Sequence, residues 1–440
     1  MSFKIFLSGF CILFLSLGLH SFINQKDTTT PIPPAIPSLS DTYELPSLYF
    51  GLNNAYSERE EFKILNQRLN TFIKRWELKG ASLAIVKDGK LVYARGFGYA
   101  DQEEKVLAQP YHQFRIASIS KLFTAVAIMQ LVEKGKIRLE DKVFGVKGIL
   151  NDSIYQNIAD PLALKIEVHH LLKHTAGWRN QLRTDPMFSP LEVAQIMGVA
   201  SPPSIETTIQ FMLSQKGYFE PSTLYDYSNF GYCVAGEIIE KASGMDYDTY
   251  LQTQVLQPSG IKRMRLGKNK YTEKYPQEVR YYPHKKTENK LSAYGTGDSA
   301  SKAYEATHLE ALGPAGGWIA TPTDLLRLVN AIDGFKTVPD ILSPQSISQM
   351  TSITIESDST QSQLMGWKGV DTEKWWRTGS LVGTSAVLVR QHNGISWAFL
   401  TNTDTWRGPY FSYEVEAEIR RILASIKHFP RWDLFLLEEY

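Results

Sequence analysis

The chain has 440 residues, 43% of them hydrophobic, which is enough to bury a large core as one domain or two. Its 47 basic and 46 acidic residues leave a net charge of +1, so there is no electrostatic case for nucleic-acid binding. With Cys11 and Cys233 as its only cysteines, it has no disulfide framework.

In chain order, the first feature is one lysine ahead of an uncharged, mostly apolar run over residues 5–23. This pattern reads as an export signal, although the run is long for a signal core and just sufficient to span a bilayer. Residues 1–25 are therefore expected to be a signal peptide or an N-terminal membrane anchor. The protein is expected to be exported, either periplasmic or held at a membrane facing the periplasm or exterior. Cys11 follows Phe10 rather than a small residue, which argues against lipidation. Residues 26–57, with TTTPIPPAIPSLS, read as a Pro/Thr/Ser-rich linker. A hydrolase domain over 58–428 and a C-terminal tail over 429–440 complete the expected division.

Within the domain, Phe62, Leu65, Leu69, Phe72 and Ile73 share one face of a predicted helix over 58–76. Two strands follow around Asp88-Gly89, a hairpin signal. FRIASISKLFTAVAIMQLV, residues 114–132, then reads as a strand end, a bend and a helix buried on nearly every face, with Gly135 placed to end it. Residues 137–260 read as mainly helical, broken at Ser201-Pro202-Pro203-Ser204. Residues 268–308 read as a long polar surface excursion. Apolar strands return around Asn393-Gly394, and a closing helix is predicted over 414–426. The expected fold is α+β: an antiparallel sheet drawing strands from both ends of the domain, flanked by helices, with a mainly helical subdomain inserted.

Ser118 and Lys121 stand three residues apart at the predicted helix start, which puts hydroxyl and amine on one face. Unpaired N–H groups and the positive dipole end there favour a developing anion. S-x-x-K also occurs at Ser259 and Ser299, but only Ser118 opens a long apolar helix. A serine hydroxyl needs a base, and Lys121 serves if burial and neighbouring positive charge lower its pKa. YDYSNFGY supplies a second proton carrier in Tyr227. Asn229 is placed to hold Lys121 and a substrate amide. A further Y-x-N at Tyr155 lacks the following helix. In WWRTGSLVG, Arg377, Thr378 and Gly379 are expected to open a core strand and to bind substrate. The Gly379 site admits close backbone approach, and the N–H groups of Ser118 and Ser380 form an oxyanion hole. The plain alternatives are an N-cap serine with a snorkelling lysine, a buried tyrosine with a satisfied hydroxyl, and a surface ion pair for Arg377.

These motifs, with VHHLLKHTAGW and GPAGGWIATPTDLLRL in the same order, resemble the serine β-lactamase and penicillin-binding-protein superfamily, in its class C β-lactamase-like branch. The likeness runs over residues 58–426. It implies an acyl-enzyme on Ser118, proton shuttling by Lys121 and Tyr227, and no cofactor or metal. The family usually carries Lys or His where this chain has Arg377. Arginine cannot shuttle a proton, so its expected role is electrostatic: lowering the pKa of Tyr227 or Lys121, or gripping a substrate carboxylate.

His169, His170 and His174 invite a zinc reading, but no carboxylate or further histidine follows at ligand spacing, so none is expected. Trp318, Trp375 and Trp376 either line the cleft or pack. The expected activity is hydrolysis of an amide or ester of D-alanyl-D-alanine carboxypeptidase type. The substrate would be a small molecule or peptide such as a peptidoglycan stem peptide or a β-lactam. The alternatives are a β-lactamase, a carboxylesterase of the same fold, or a penicillin-binding sensor that does not turn over.

Overall fold

The computed structural model of the protein describes residues 51–352 and 364–438. The expected leader, most of the linker, Cys11 and residues 439–440 lie outside them. Helix α1 (Lys63–Arg75) buries Leu65, Leu69, Phe72 and Ile73 along one stripe. Strands β1 (Gly80–Lys87) and β2 (Lys90–Asp101) turn at Asp88 and Gly89. Both turn residues have positive φ, as a type I′ hairpin requires. Short strands β3 (Val106–Leu107) and β4 (Phe114–Arg115) lead to a 3-10 turn, Ala117–Ile119, and then to helix α2 (Ser120–Glu133). Ser118 thus sits in the turn ahead of the helix rather than in its first turn. Gly135, at φ +64°, ends the helix as expected.

The helical region follows as α3 (Val168–Leu172), α4 (Pro190–Met197), α5 (Ile205–Leu213), α6 (Asn229–Ser243) and α7 (Tyr247–Tyr250). Beyond it come β5 (Arg265–Leu266), β6 (Lys290–Leu291), β7 (Ser299–Ala300), α8 (Gly313–Gly316), β8 (Trp318–Ala320), α9 (Pro322–Asn330) and α10 (Pro344–Thr351). Strands β9 (Gly369–Val370), β10 (Lys374–Leu381), β11 (Thr384–Gln391) and β12 (Ile395–Thr401), then helix α11 (Phe411–Ser425), complete the order.

Among the described residues the main sheet has the order β3-β2-β1-β12-β11-β10-β9, antiparallel throughout. Its first long strand pairs with its last, Ala84 opposite Ala398. Alternation along each strand separates two cores. Leu83, Ile85, Val387, Val389, Trp397 and Phe399 face α1 and α11. Ala84, Val86, Ala386, Leu388 and Ala398 belong to the larger core that contains α2, α6 and α9. The expected α+β architecture is the observed one.

Two expectations need correcting. The stretch 268–308 is a surface excursion only in part: residues 288–291 and 295–299 are exposed, but Asn269, Glu278, Val279 and Tyr281 are buried. Its core is polar. Tyr281 donates to Glu278 at 2.8 Å, and Arg115 lies over the Tyr281 ring at 4.2 Å. Arg377 does not open its strand, because β10 begins at Lys374. The three tryptophans pack. Trp318 is fully buried and donates to Tyr247, Trp375 lies under Arg390, and Trp376 joins the α1/α11 face.

Packing also reaches beyond residues 58–428. Ser57 donates to the Ala94 carbonyl at 2.8 Å. At the other end, Trp432 donates to Val92 O at 3.1 Å, and Asp433 accepts from Leu91 N at 3.0 Å.

Candidate active site

The 3-10 turn carrying Ser118 is held under constraint. Ala117, the residue before it, is fully buried at φ +46°, an unfavourable conformation for a residue with a Cβ. Strand β10 passes directly beneath. A Cβ on Gly379 would lie 2.2 Å from Ile116 O and 3.1 Å from the Ala117 Cβ. The close approach that requires glycine here is therefore made by the chain's own turn, not by a substrate backbone.

Lys121 enters from the first turn of α2 and is completely buried. Its Nζ donates to Asn229 Oδ1 at 2.7 Å, to Ala315 O at 2.6 Å and to Ser118 Oγ at 3.3 Å. Ala315 lies in α8, the GPAGG stretch wedged between α2 and α6. A Cβ on Gly236 of α6 would come within 2.4 Å of Pro314 Cγ. The glycines allow this fit, and the fit delivers a carbonyl to the lysine. Asn229 is the first residue of α6, whose N-cap is Ser228. The half-buried Asp185 carboxylate accepts from Asn229 N at 2.6 Å and Phe230 N at 3.3 Å, which fixes that helix end.

Tyr227 precedes the cap. Its hydroxyl donates to Ser118 Oγ at 2.8 Å and accepts from Arg377 Nη2 at 3.0 Å. The HTAG loop positions it from behind. His174 O accepts from Asp226 N at 2.8 Å, and the His174 ring lies 4.3 Å from the Tyr227 ring. Burial, then the Lys121 and Arg377 charges, push the His174 pKa well below its usual value. A neutral ring fits its acceptance of the Ser228 N–H at 3.2 Å. Arg377 is buried, and its Nε donates to Ser118 O at 2.8 Å. One guanidinium thus ties the serine turn to the tyrosine.

The charges lower the pKa values of both Tyr227 and Lys121. Burial alone would raise the Tyr227 pKa. The Lys121 ammonium, then Arg377, with hydrogen bonds from Lys121 and Ser118, outweigh it and bring the phenol down to about 8. Tyr227 as a residue is 40% exposed, but its hydroxyl lies among these three partners. Burial, first, and Arg377 lower the Lys121 pKa, while Tyr227 opposes them. A weakened ammonium, an acidified phenol and a serine hydroxyl in mutual contact can pass a proton without a carboxylate base. Beside Tyr227 a cavity of about 220 Å³ is lined in part by Trp178, Arg179, Arg183, Met212 and Phe230.

The structure thus brings Ser118, Lys121, Tyr227, Asn229 and Arg377 together. Thr378 and Ser380 follow on β10, Ser380 opposite Ser385. Sequence reasoning missed Asp185, which sits in an ordinary Asp-Pro turn, and Lys368, which donates to Thr378 Oγ1 at 3.0 Å. Neither carries a local signal. The sequence reading also left a carboxylate near the histidine pair uncounted: Glu167, His169 and His170 bring ligand atoms within 4.8 Å of one another. Glu167 and His170 form the capping box of α3. His170 Nδ1 accepts from Glu167 N, Nε2 pairs with Ser222 Oγ, and Glu167 accepts from Lys142.

The family model described as Beta-lactamase matches residues 67–416. The chain is 27% identical over 338 residues to penicillin-binding protein 4* of Bacillus subtilis (strain 168), covering 74% of this chain and 68% of that protein. Its match to protein flp of Staphylococcus aureus (strain MW2) is 26% identical over 213 residues and covers 48% of this chain but only 40% of flp. Among solved structures, D-amino acid amidase from Ochrobactrum anthropi SV3 aligns at a TM-score of 0.63 and 23% identity, over 84% of this chain and 99% of the amidase. At that identity the likeness shows the fold.

Proposed function

The chain belongs to the Beta-lactamase family and is a serine hydrolase, and from that premise we propose that Ser118 is its nucleophile in an acyl transfer. The observation that carries this reading is the double contact of Ser118 Oγ with Lys121 Nζ at 3.3 Å and Tyr227 Oη at 2.8 Å. Lys121 and Tyr227, as base and phenolate, take the serine proton while Oγ attacks the carbonyl carbon. The N–H groups of Ser118 and Ser380 hold the oxyanion. Tyr227 hands the proton to the leaving nitrogen or oxygen as its bond to the acyl carbon breaks. Water, deprotonated by the same pair, then cleaves the acyl-enzyme. Arg377 keeps Tyr227 acidic and the serine turn in place but carries no proton.

The substrate is an amide or ester with a D-amino acid, of the D-alanyl-D-alanine carboxypeptidase type. Relatives named as a penicillin-binding protein and a D-amino acid amidase support that class. The apolar run over residues 5–23 supports export, with the domain periplasmic or anchored on the outer side of a membrane.

Intact-mass spectrometry with a fluorescent penicillin and a fluorophosphonate tests the reading. Both should add to Ser118 and neither to Ser118→Ala; an adduct on another serine refutes the assignment. A penicillin adduct that decays indicates β-lactamase turnover, and one that persists indicates a peptidase or a sensor. Fluorophosphonate labelling alone points to an esterase or amidase pocket. Fractionation of cells expressing the full chain tests export; activity confined to the cytoplasm refutes it.

A further inference from the structure

The Lys121 nitrogen serves Ser118 only through the one position that its other partners leave over. Asn229 Oδ1 at 2.7 Å and Ala315 O at 2.6 Å are carbonyl oxygens, which accept and never donate. Two N–H groups are therefore spent on them, and the third position of the nitrogen faces Ser118 Oγ at 3.3 Å. In the ammonium that position is a third N–H; in the neutral amine it is the lone pair that takes the serine proton. If the Asn229 acceptor moves away, one N–H is free to swing and the third position loses its direction.

Asn229 has no turn of helix behind it to hold it still. It is the first residue of α6, so its N–H and that of Phe230 have no partner within the helix. The Ser228 hydroxyl, as N-cap, takes the next one, Gly231 N at 2.9 Å. The other two converge on a single oxygen 44 residues away in the chain: Asp185 Oδ2 accepts from Asn229 N at 2.6 Å and Phe230 N at 3.3 Å.

The second oxygen of the same carboxylate is also engaged. Asp185 Oδ1 accepts from Met187 N at 3.0 Å, which caps the short turn Pro186–Phe188. Met187 is buried, so that turn is tied to the core. One carboxylate thus joins two N-terminal ends and takes three backbone N–H groups. An acceptor-only group with two oxygens can do this; a hydroxyl or an amide offers one oxygen. Its negative charge also faces the positive end of a 15-residue helix.

We propose that Asp185 is a positioning residue for acyl transfer, its carboxylate fixing Asn229 so that the third position of the Lys121 nitrogen points at Ser118. The proposal rests on the Ser118 reading above and adds a residue that acts through another.

The test measures fluorophosphonate labelling of Ser118 in the full-length protein, as a maximal rate kinact and a half-saturating concentration KI. Two substitutions separate the two oxygens. Asp185→Ser keeps a short acceptor for Met187 N but cannot reach Asn229. Asp185→Asn keeps one oxygen, which the two donors of α6 attract, and leaves Met187 N without its acceptor. Asp185→Ser should lower kinact on the order of tenfold or more, the range for losing a charged hydrogen bond, with KI unchanged. Asp185→Asn should keep most of kinact while lowering Tm. In an Asn229→Ala background the lysine is already released, so adding Asp185→Ser should slow labelling by no more than about twofold. Wild-type kinact in Asp185→Ser, an Asp185→Asn rate as low as that of Asp185→Ser, or a full further loss in the Asn229→Ala background overturns the proposal. A wild-type protein that takes no label at Ser118 overturns the nucleophile itself; a labelled one with any of those three results overturns only the role of Asp185.

Discussion

Two cations face one phenol. Lys121 Nζ lies 4.9 Å from the Tyr227 ring centroid, and Arg377 donates to its hydroxyl. With Tyr227 at about 8, the acylation rate should climb as pH rises through about 8 and level off above it, because the Tyr227 phenolate is the active form. Arg377→Gln removes a charge that favours the phenolate, and Arg377 also depresses Lys121. Both effects move the same way, so the limb should shift to higher pH. A stopped-flow pH profile of acylation that stays in place would remove Arg377 from the electrostatics. Lys121→Met should slow acylation about 10²- to 10⁴-fold, the usual range for a lost acid–base group, with little change in far-UV circular dichroism. At this scale the sequence was readable wherever partners are close along the chain or carried by a motif, as with Ser118 and Lys121. Asp185 and Lys368 were not, because their partners Asn229 and Thr378 are brought to them only by folding.

The elements around the site are set by what they cannot hold. Helix α8 slides between α2 and α6 because Gly236 leaves room for Pro314, and the Ala315 carbonyl that meets Lys121 depends on that depth. Gly236→Ala, remote from any substrate, should therefore both lower Tm, through overpacking of about 1–3 kcal/mol, and slow acylation of Ser118. A stability loss with an unchanged acylation rate would show that α8 does not position Lys121. Helix α1 was visible from its apolar period, the hairpins from their Asp-Gly and Asn-Gly turns, and α2 from an unbroken apolar run. The buried part of the stretch 268–308 was missed because Arg115, Glu278, Tyr281 and Tyr304 bury polar atoms against one another. A polar core leaves no hydrophobic period to read.

At the scale of the whole molecule, the C-terminal segment straps the first hairpin. Trp432 packs edge-on to Phe62 at 6.5 Å, lies under Arg59 and donates to Val92 O. Trp432→Ala should destabilise the domain by about 1–3 kcal/mol, measured by denaturant unfolding, without altering the Ser118 acylation rate. No regular period announced this segment, since its contacts come from a few residues: Trp432, Asp433 and the buried Leu434 and Phe435. The pairing of the first long strand with the last has a wider consequence. Thr401 donates to the carbonyl of Gly80, 321 residues earlier. At roughly 5–20 residues per second of synthesis, Gly80 waits on the order of half a minute before its partner exists. Until then the sheet has no middle, and residues 118, 227 and 377 have no common scaffold. The sheet that joins the two ends of the domain therefore closes only after the last strand arrives.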